Sequence, residues 1–241
     1  MNEGHIHADN KWLIFDKGDI SEFVYGGIDG AITTFAVVAG AAGADAGVTW
    51  VLIFGFANLI ADGFSMSVGN YFSSKADRDN YERHKAIEYW EIEHLREKEV
   101  QEIREIYEAK GFKGELLEQV VAVITSNKDV WVDTMMKEEL EMTKDSKTPL
   151  RTASVTFLSF FAVGLIPLLI YVLAVWVVVD ESWLFPLSCA STGLALLIIG
   201  NLKSVVTETN RWKSIAETLA LGGLAAFLAY YVGEVLAKYF L

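Results

Sequence analysis

A single cysteine, Cys189, excludes a disulfide framework, and its place in an apolar run gives it the character of a small buried residue. Prolines are only three, at positions 149, 167 and 186. Basic residues are outnumbered, 20 Lys and Arg against 32 Asp and Glu, and the net charge of −12 argues against nucleic acid and suits a protein that gathers cations. There is no internal repeat and no low-complexity tract. The opening MNEGHIHADNKWLIFDKGDI is polar and acidic, without the apolar centre of a signal peptide, so the first apolar run is expected to remain in the protein.

Apolar residues are abundant: 52% of the chain is hydrophobic, and the mean hydropathy is +0.30. That is too apolar for an ordinary soluble domain, so the charged 22% must be concentrated somewhere. Residues 75–148 hold 19 acids and 13 bases, a net of −6, while the flanks carry the long apolar runs. A helix needs about 20 residues to cross a hydrocarbon core of about 30 Å. Spans are therefore expected at 21–43, 48–72, 152–179, 183–206 and 213–239, with Pro167 kinking the third.

The predicted fold is an all-α membrane protein of five transmembrane helices, with a helical insert between the second and third. Its expected parts are an N-terminal segment 1–20, the first two spans in 21–72, the insert 73–149 and the last three spans in 150–241. Of the 20 Lys and Arg, 19 fall on the side of the N-terminus and insert or at its membrane border, and Lys238 alone falls on the other. Basic loops stay in the cytosol, so the N-terminus and insert are expected to be cytosolic.

An acid in the first span raises the functional question. Asp29 sits in FVYGGIDGAITTFAVVAGAAGA, where a carboxylate costs about 2.5 to 3.5 kcal/mol on insertion scales. Helical spacing sets Glu22, Gly26, Asp29, Gly30 and Thr33 on one stripe, and Gly26-x-x-x-Gly30 permits close helix contact. In the second span Asn58, Asp62, Met66 and Asn70 recur every four residues. That face offers amides, a carboxylate and a thioether. Carboxylates accept any divalent cation, whereas a thioether favours softer transition metals such as Fe²⁺. A carboxylate in low dielectric holds a cation or a proton, so metal and proton compete for it.

In the insert, SKADRDNYERHKAIEYWEIEHLREKEVQEIREIYEAKGF has no proline, and no glycine before Gly111, the expected helix stop. Glu88 and Glu91 form an i, i+3 pair, repeated 11 residues later by Glu99 and Glu102, so one unbroken helix would carry all four on one face. Arg96 and Lys98 are near enough to neutralise them, and a solvated charged helix is the alternative. Met135 and Glu139, at i, i+4, again pair a thioether with a carboxylate.

GGIDGAITTFAVVAGAAGA, ADGFSMSVGNYFSSKA, REIYEAKGF, DVWVDTMMKEEL and VGLIPLLIYVLA, in this order, resemble the vacuolar iron transporter family of yeast, plants and microbes from about residue 20 to the end. The resemblance implies a homodimer of five-span subunits exporting Fe²⁺ from the cytosol in exchange for protons, with Mn²⁺, Zn²⁺ or Co²⁺ as further ions and no catalytic cofactor. It implies a pore lined by the first two spans, with Asp29 and Met66 as ligands beside Asp62 and Asn70. It implies a metal-collecting domain using Glu88, Glu91, Glu99, Glu102, Met135 and Glu139. One departure is GNY, with Asn70 where many relatives have GEY, which bears on how metal passes into the pore.

Two other readings are a membrane-anchored di-iron ferroxidase, from Glu91-x-x-His94, and a structural membrane protein. The ferroxidase would need a second Glu-x-x-His, and His84 has Tyr81 three residues before it. His5 and His7 are incidental metal candidates, and Glu217 and Glu234 are acids near the ends of the last span. The expected location is a microbial plasma membrane, with the vacuolar membrane as the alternative.

Overall fold

A computed structural model describes residues 17–144 and 147–240, and every regular element among them is helical. His5 and His7 lie outside the described residues. The helices are α1 (Lys17–Gly43), α2 (Val48–His94), α3 (Arg96–Ala109), α4 (Gly114–Thr125), α5 (Lys128–Glu138), α6 (Pro149–Gly164), α7 (Ile166–Ala174), α8 (Leu184–Val206) and α9 (Arg211–Phe240). A 3-10 turn, Glu181–Trp183, precedes α8. The chain divides into two compact units, Met1–Tyr71 with Pro149–Leu241, and Phe72–Thr148.

In the first unit, α1, α2, α8 with its preceding turn, and α9 are each long and apolar enough to cross a membrane. The pair α6 and α7 makes a fifth span if counted together, and it is bent by 47°. The kink expected at Pro167 is thus a break. Proline has no N–H for the carbonyl four residues back, so the helix ends at Gly164 and restarts with Pro167 in its first turn. Ser188 on α8 donates to the Pro167 carbonyl at 2.7 Å, tying the restart to a neighbouring helix.

α1 is the central helix of this unit and packs on α6, α7, α8 and α9. Its small residues explain why: a Cβ on Gly30 would collide with the Phe160 carbonyl of α6, and one on Gly233 of α9 with the Gly40 carbonyl of α1. Backbone-to-backbone approach of this kind is how spans gain packing where the surrounding lipid is as apolar as the core. Val38, Leu59, Phe160 and Leu168 are fully buried around it. Span hydroxyls bond back to nearby carbonyls, Thr33 to Asp29 at 2.9 Å and Thr218 to Ser214 at 2.9 Å, because hydrocarbon offers no partner.

The second unit is built from the end of α2 with α3, α4 and α5. Leu117, Val121 and Ile124 recur at helical spacing on α4 and turn inward. They meet Ile92, Ile103, Trp131, Val132, Met135 and Met136 in one core. Gly111, at φ 99°, follows the end of α3 where the stop was expected. Asn127 caps α5, its side chain accepting from the Asp129 and Val130 amides.

The expected unbroken helix through the glutamates is not found. α2 ends at His94, Leu95 leaves helical geometry at φ −123° and ψ 31°, and α3 starts at Arg96. The physical consequence favours a site. On a straight helix, pairs 11 residues apart would be separated by roughly 16 Å at 1.5 Å per residue, too far for one ion.

Candidate metal centre

The break at Leu95 allows what a straight helix forbids. Glu88 and Glu91 of α2 and Glu99 of α3 each bring one carboxylate oxygen to within 4.8 Å of the others. Glu88 is 4% exposed and Glu99 1%. Neither oxygen of Glu99, nor Oε2 of Glu88, meets a hydrogen-bond donor. Buried carboxylates without donors are costly, and three acids converging on one point lack the charge that would offset this.

The neighbouring cations offset these acids only in part: Lys98 lowers the Glu88 and Glu139 carboxyls, but burial and the other acids outweigh it. Lys98 pairs with Glu102 at 2.8 Å, and the Arg96 guanidinium lies 5.0 Å over the Trp131 ring. Burial, with Glu139, Glu91 and Glu102 nearby, pushes the Glu88 carboxyl from 4.5 up to about 7. Burial first, and then Glu102, Glu88 and Glu91, push Glu99 up as well. Glu139 is raised by desolvation and by Glu102, although the residue as a whole stays exposed. It stands at the C-cap of α5. Met135 is fully buried in the core. Three carboxylates are thus brought together, Glu102 and Glu139 act on them electrostatically, and Met135 packs one turn before Glu139.

In the span unit, Asp29 on α1 and Asp62 on α2 are both half-buried and close enough to interact electrostatically. Met66 packs partly buried against the cluster of Leu59 and Phe160. Asn70 donates its amide to Glu22 Oε2 at 3.1 Å and to Thr156 Oγ1 at 2.7 Å. It therefore ties α2 to α1 and α6. Nearby, Arg151 pairs with the buried Asp19. Glu217 pairs with Lys203 at 3.4 Å.

The model of the VIT family matches residues 20–234. The chain belongs to the VIT family. Among its relatives, a protein of Toxoplasma gondii named vacuolar iron transporter is 36% identical, covering 90% of this chain and 74% of the relative. A Plasmodium falciparum protein of the same name is 34% identical over 95% of this chain and 86% of its own length. Vacuolar iron transporter 1 of Eucalyptus grandis is 32% identical over 90% and 86%.

These VIT relatives are named as transporters, not enzymes. The geometry of this VIT chain likewise gives the ferroxidase little: His94 stacks on Trp90 at 4.5 Å, and its Nδ1 lies 2.8 Å from the Trp90 carbonyl. Its imidazole is engaged by its own helix. Two participants escaped the sequence reading. Thr156, the third partner of the Asn70 clamp, is one of many span hydroxyls, and no spacing marks it. Trp131, fully buried with its Nε1 unpartnered, carries a signal only as a large aromatic in an otherwise charged insert.

Proposed function

We propose that the protein moves Fe²⁺, and with it Mn²⁺, across a membrane in exchange for protons, carrying the metal out of the cytosol. Its strongest support is the convergence of Glu88, Glu91 and Glu99 with their charge unbalanced. Such a trio accepts either a divalent cation or protons, and each displaces the other. Glu102 and Glu139 add negative potential, and Met135 supplies the thioether that would favour a transition metal over Mg²⁺ or Ca²⁺.

Within the spans, Asp29 and Asp62 with Met66 form the pore set. Their mixture of carboxylate and thioether repeats the donor types of the insert. Asn70 acts there as a strut through Glu22 and Thr156. Residues 73–149 form the cytosolic collecting domain, and the distribution of Lys and Arg supports that orientation. A homodimer about α1 and α2 is supported by the apolar face of α2, where Trp50, Phe54, Ile60 and Phe64 remain exposed. The names of the relatives favour a vacuolar membrane over the plasma membrane.

The test is Fe²⁺ uptake into proteoliposomes under an imposed proton gradient. Asp29→Ala should abolish proton-driven flux, while Glu99→Ala with Glu102→Ala should slow it. Absence of flux in the wild type, or full flux in Asp29→Ala, would overturn the proposal.

A further inference from the structure

Pro167 leaves a carbonyl of the bent α6–α7 span without its backbone donor. In a continuous helix the amide of residue 167 would meet the Val163 carbonyl, and proline has none to give. The Leu168 amide bonds the Leu165 carbonyl at 3.1 Å, three residues back, and so does not take that place. Hydrocarbon supplies no substitute, so a carbonyl freed inside a span needs a partner within the protein.

Two hydroxyls face this point from other helices. On α1, Gly30, Thr34 and Val38 lie one above the other at steps of four residues. A Cβ on Gly164 would stand 2.8 Å from the Gly30 carbonyl, and Val38 packs in the cluster of Leu168. Thr34 is therefore level with the break. On α8, Ser188 donates to the Pro167 carbonyl at 2.7 Å, and Ala195 and Ile199 pack in the cluster of Val163. Thr192 lies between these contacts on the same face. Both threonines are buried to 0% exposure, and neither hydroxyl has a hydrogen-bond partner among the described residues. They are exceptions in this unit: Thr156, Ser159, Ser214 and Thr218, as deeply buried, all donate to carbonyls. A hydroxyl orphaned in an apolar interior is costly.

We infer that a buried water occupies the break, accepting from the hydroxyls of Thr34 and Thr192 and donating to the Val163 carbonyl. About three such bonds are usual for a water enclosed in a protein. An alkali cation suits the site less well, because neither face carries a carboxylate to balance it and burying an unpaired charge costs far more than burying a neutral molecule. The water stands in for the missing N–H and joins α1, α8 and the two halves of the bent span at one point. It thereby fixes the bend, whatever the protein carries across the membrane.

The test compares thermal unfolding midpoints of the full chain with Thr34→Val, Thr192→Val and both, valine being the isosteric side chain without a hydroxyl. Each single variant removes one of the water's bonds and should lower the midpoint by about 2 °C or more. The double variant should lower it by less than the two singles together, since the water is lost only once. At a dry break, valine would relieve an orphaned hydroxyl and leave the midpoint unchanged or raised. That result overturns the site, and so do fully additive losses. A wild-type midpoint that climbs when Na⁺ or K⁺ replaces choline at fixed ionic strength would assign the place to an ion and overturn the water. Should a valine variant fail to fold, a high-resolution structure of the wild type decides. Water density within about 3.2 Å of both hydroxyls and the Val163 carbonyl is expected there, and its absence ends the proposal.

Discussion

The two units treat charge in opposite ways. The span unit has few acids, and those near the Asn70 end are paired or clamped: Asp19 by Arg151, Glu22 by Asn70, Glu217 by Lys203. The unit Phe72–Thr148 is rich in lysine and arginine, yet it commits them to its surface, Arg104 to Glu118 and Lys85 to Asp133, and leaves Glu88 and Glu99 buried without a donor. Abundant charge does not by itself balance a buried acid. Where imbalance persists beside available cations, the missing charge is best supplied by an ion from solution.

The comparison breaks most severely where the span unit relies on having no side chain at all. Gly30→Val would drive a branched side chain into the Phe160 carbonyl. Overpacking against a backbone should cost about 3 kcal/mol or more, enough to prevent recovery of folded protein. Gly69→Ala is the control, since nothing lies within 4 Å of its Cβ position. It should be neutral or slightly stabilising. Yield and thermal unfolding of the two variants check this, and equal behaviour would remove the close α1–α6 contact from the account.

A smaller effect should come from pH. Glu88 binds its proton more tightly in the folded chain, at about 7 against the ordinary 4.5. The folded state therefore carries the extra proton between these values, and stability falls as pH rises through that window. For Glu88 alone the change is on the order of 3 kcal/mol. Amide protection across α3 to α5, taken relative to the intrinsic exchange rate at each pH, should fall between pH 5 and pH 8. Added Mn²⁺ should restore it at pH 8, by replacing the lost proton. Protection that does not change with pH would mean that the trio is better compensated than its geometry implies.

These features were not equally legible in the sequence. The spans follow from runs of apolar residues, and the Gly26-x-x-x-Gly30 stripe was visible because a helical period is local. The break at Leu95 was invisible. Leucine is a good helix former, and neither glycine nor proline marks the place. Past it α3 packs against α4, whose partners lie more than a dozen residues away, as Arg104 to Glu118 illustrates. Spacing singled out four glutamates, and the geometry that brings Glu88, Glu91 and Glu99 together could not be read from it.

The comparison can be sharpened further at the cap of α5. The Asn127 side chain accepts from the Asp129 amide at 3.0 Å and the Val130 amide at 3.3 Å. Asn127→Ala should cost about 1 kcal/mol. That loss should appear in the helix carrying Met135 and weaken metal binding only modestly, since the carboxylate trio lies on α2 and α3. A loss of binding as large as that of Glu99→Gln would show that α5 positions the trio.

The smallest effect belongs to the surface pairs, and it tests whether the lysines and arginines of this unit matter for its stability. Arg104 meets Glu118 through two hydrogen bonds, Nε to Oε1 at 2.9 Å and the terminal nitrogen to Oε2 at 3.0 Å, joining α3 to α4. The two-point geometry is good, but both groups are solvated, so the coupling energy should be below about 1 kcal/mol. A double-mutant cycle of Arg104→Ala and Glu118→Ala, read by denaturant unfolding, measures it. A coupling near zero would mean that these pairs mainly keep an acidic surface soluble. A coupling of several kcal/mol would mean that the α3–α4 pair supports the break at Leu95, and that surface charge shapes the buried acids after all.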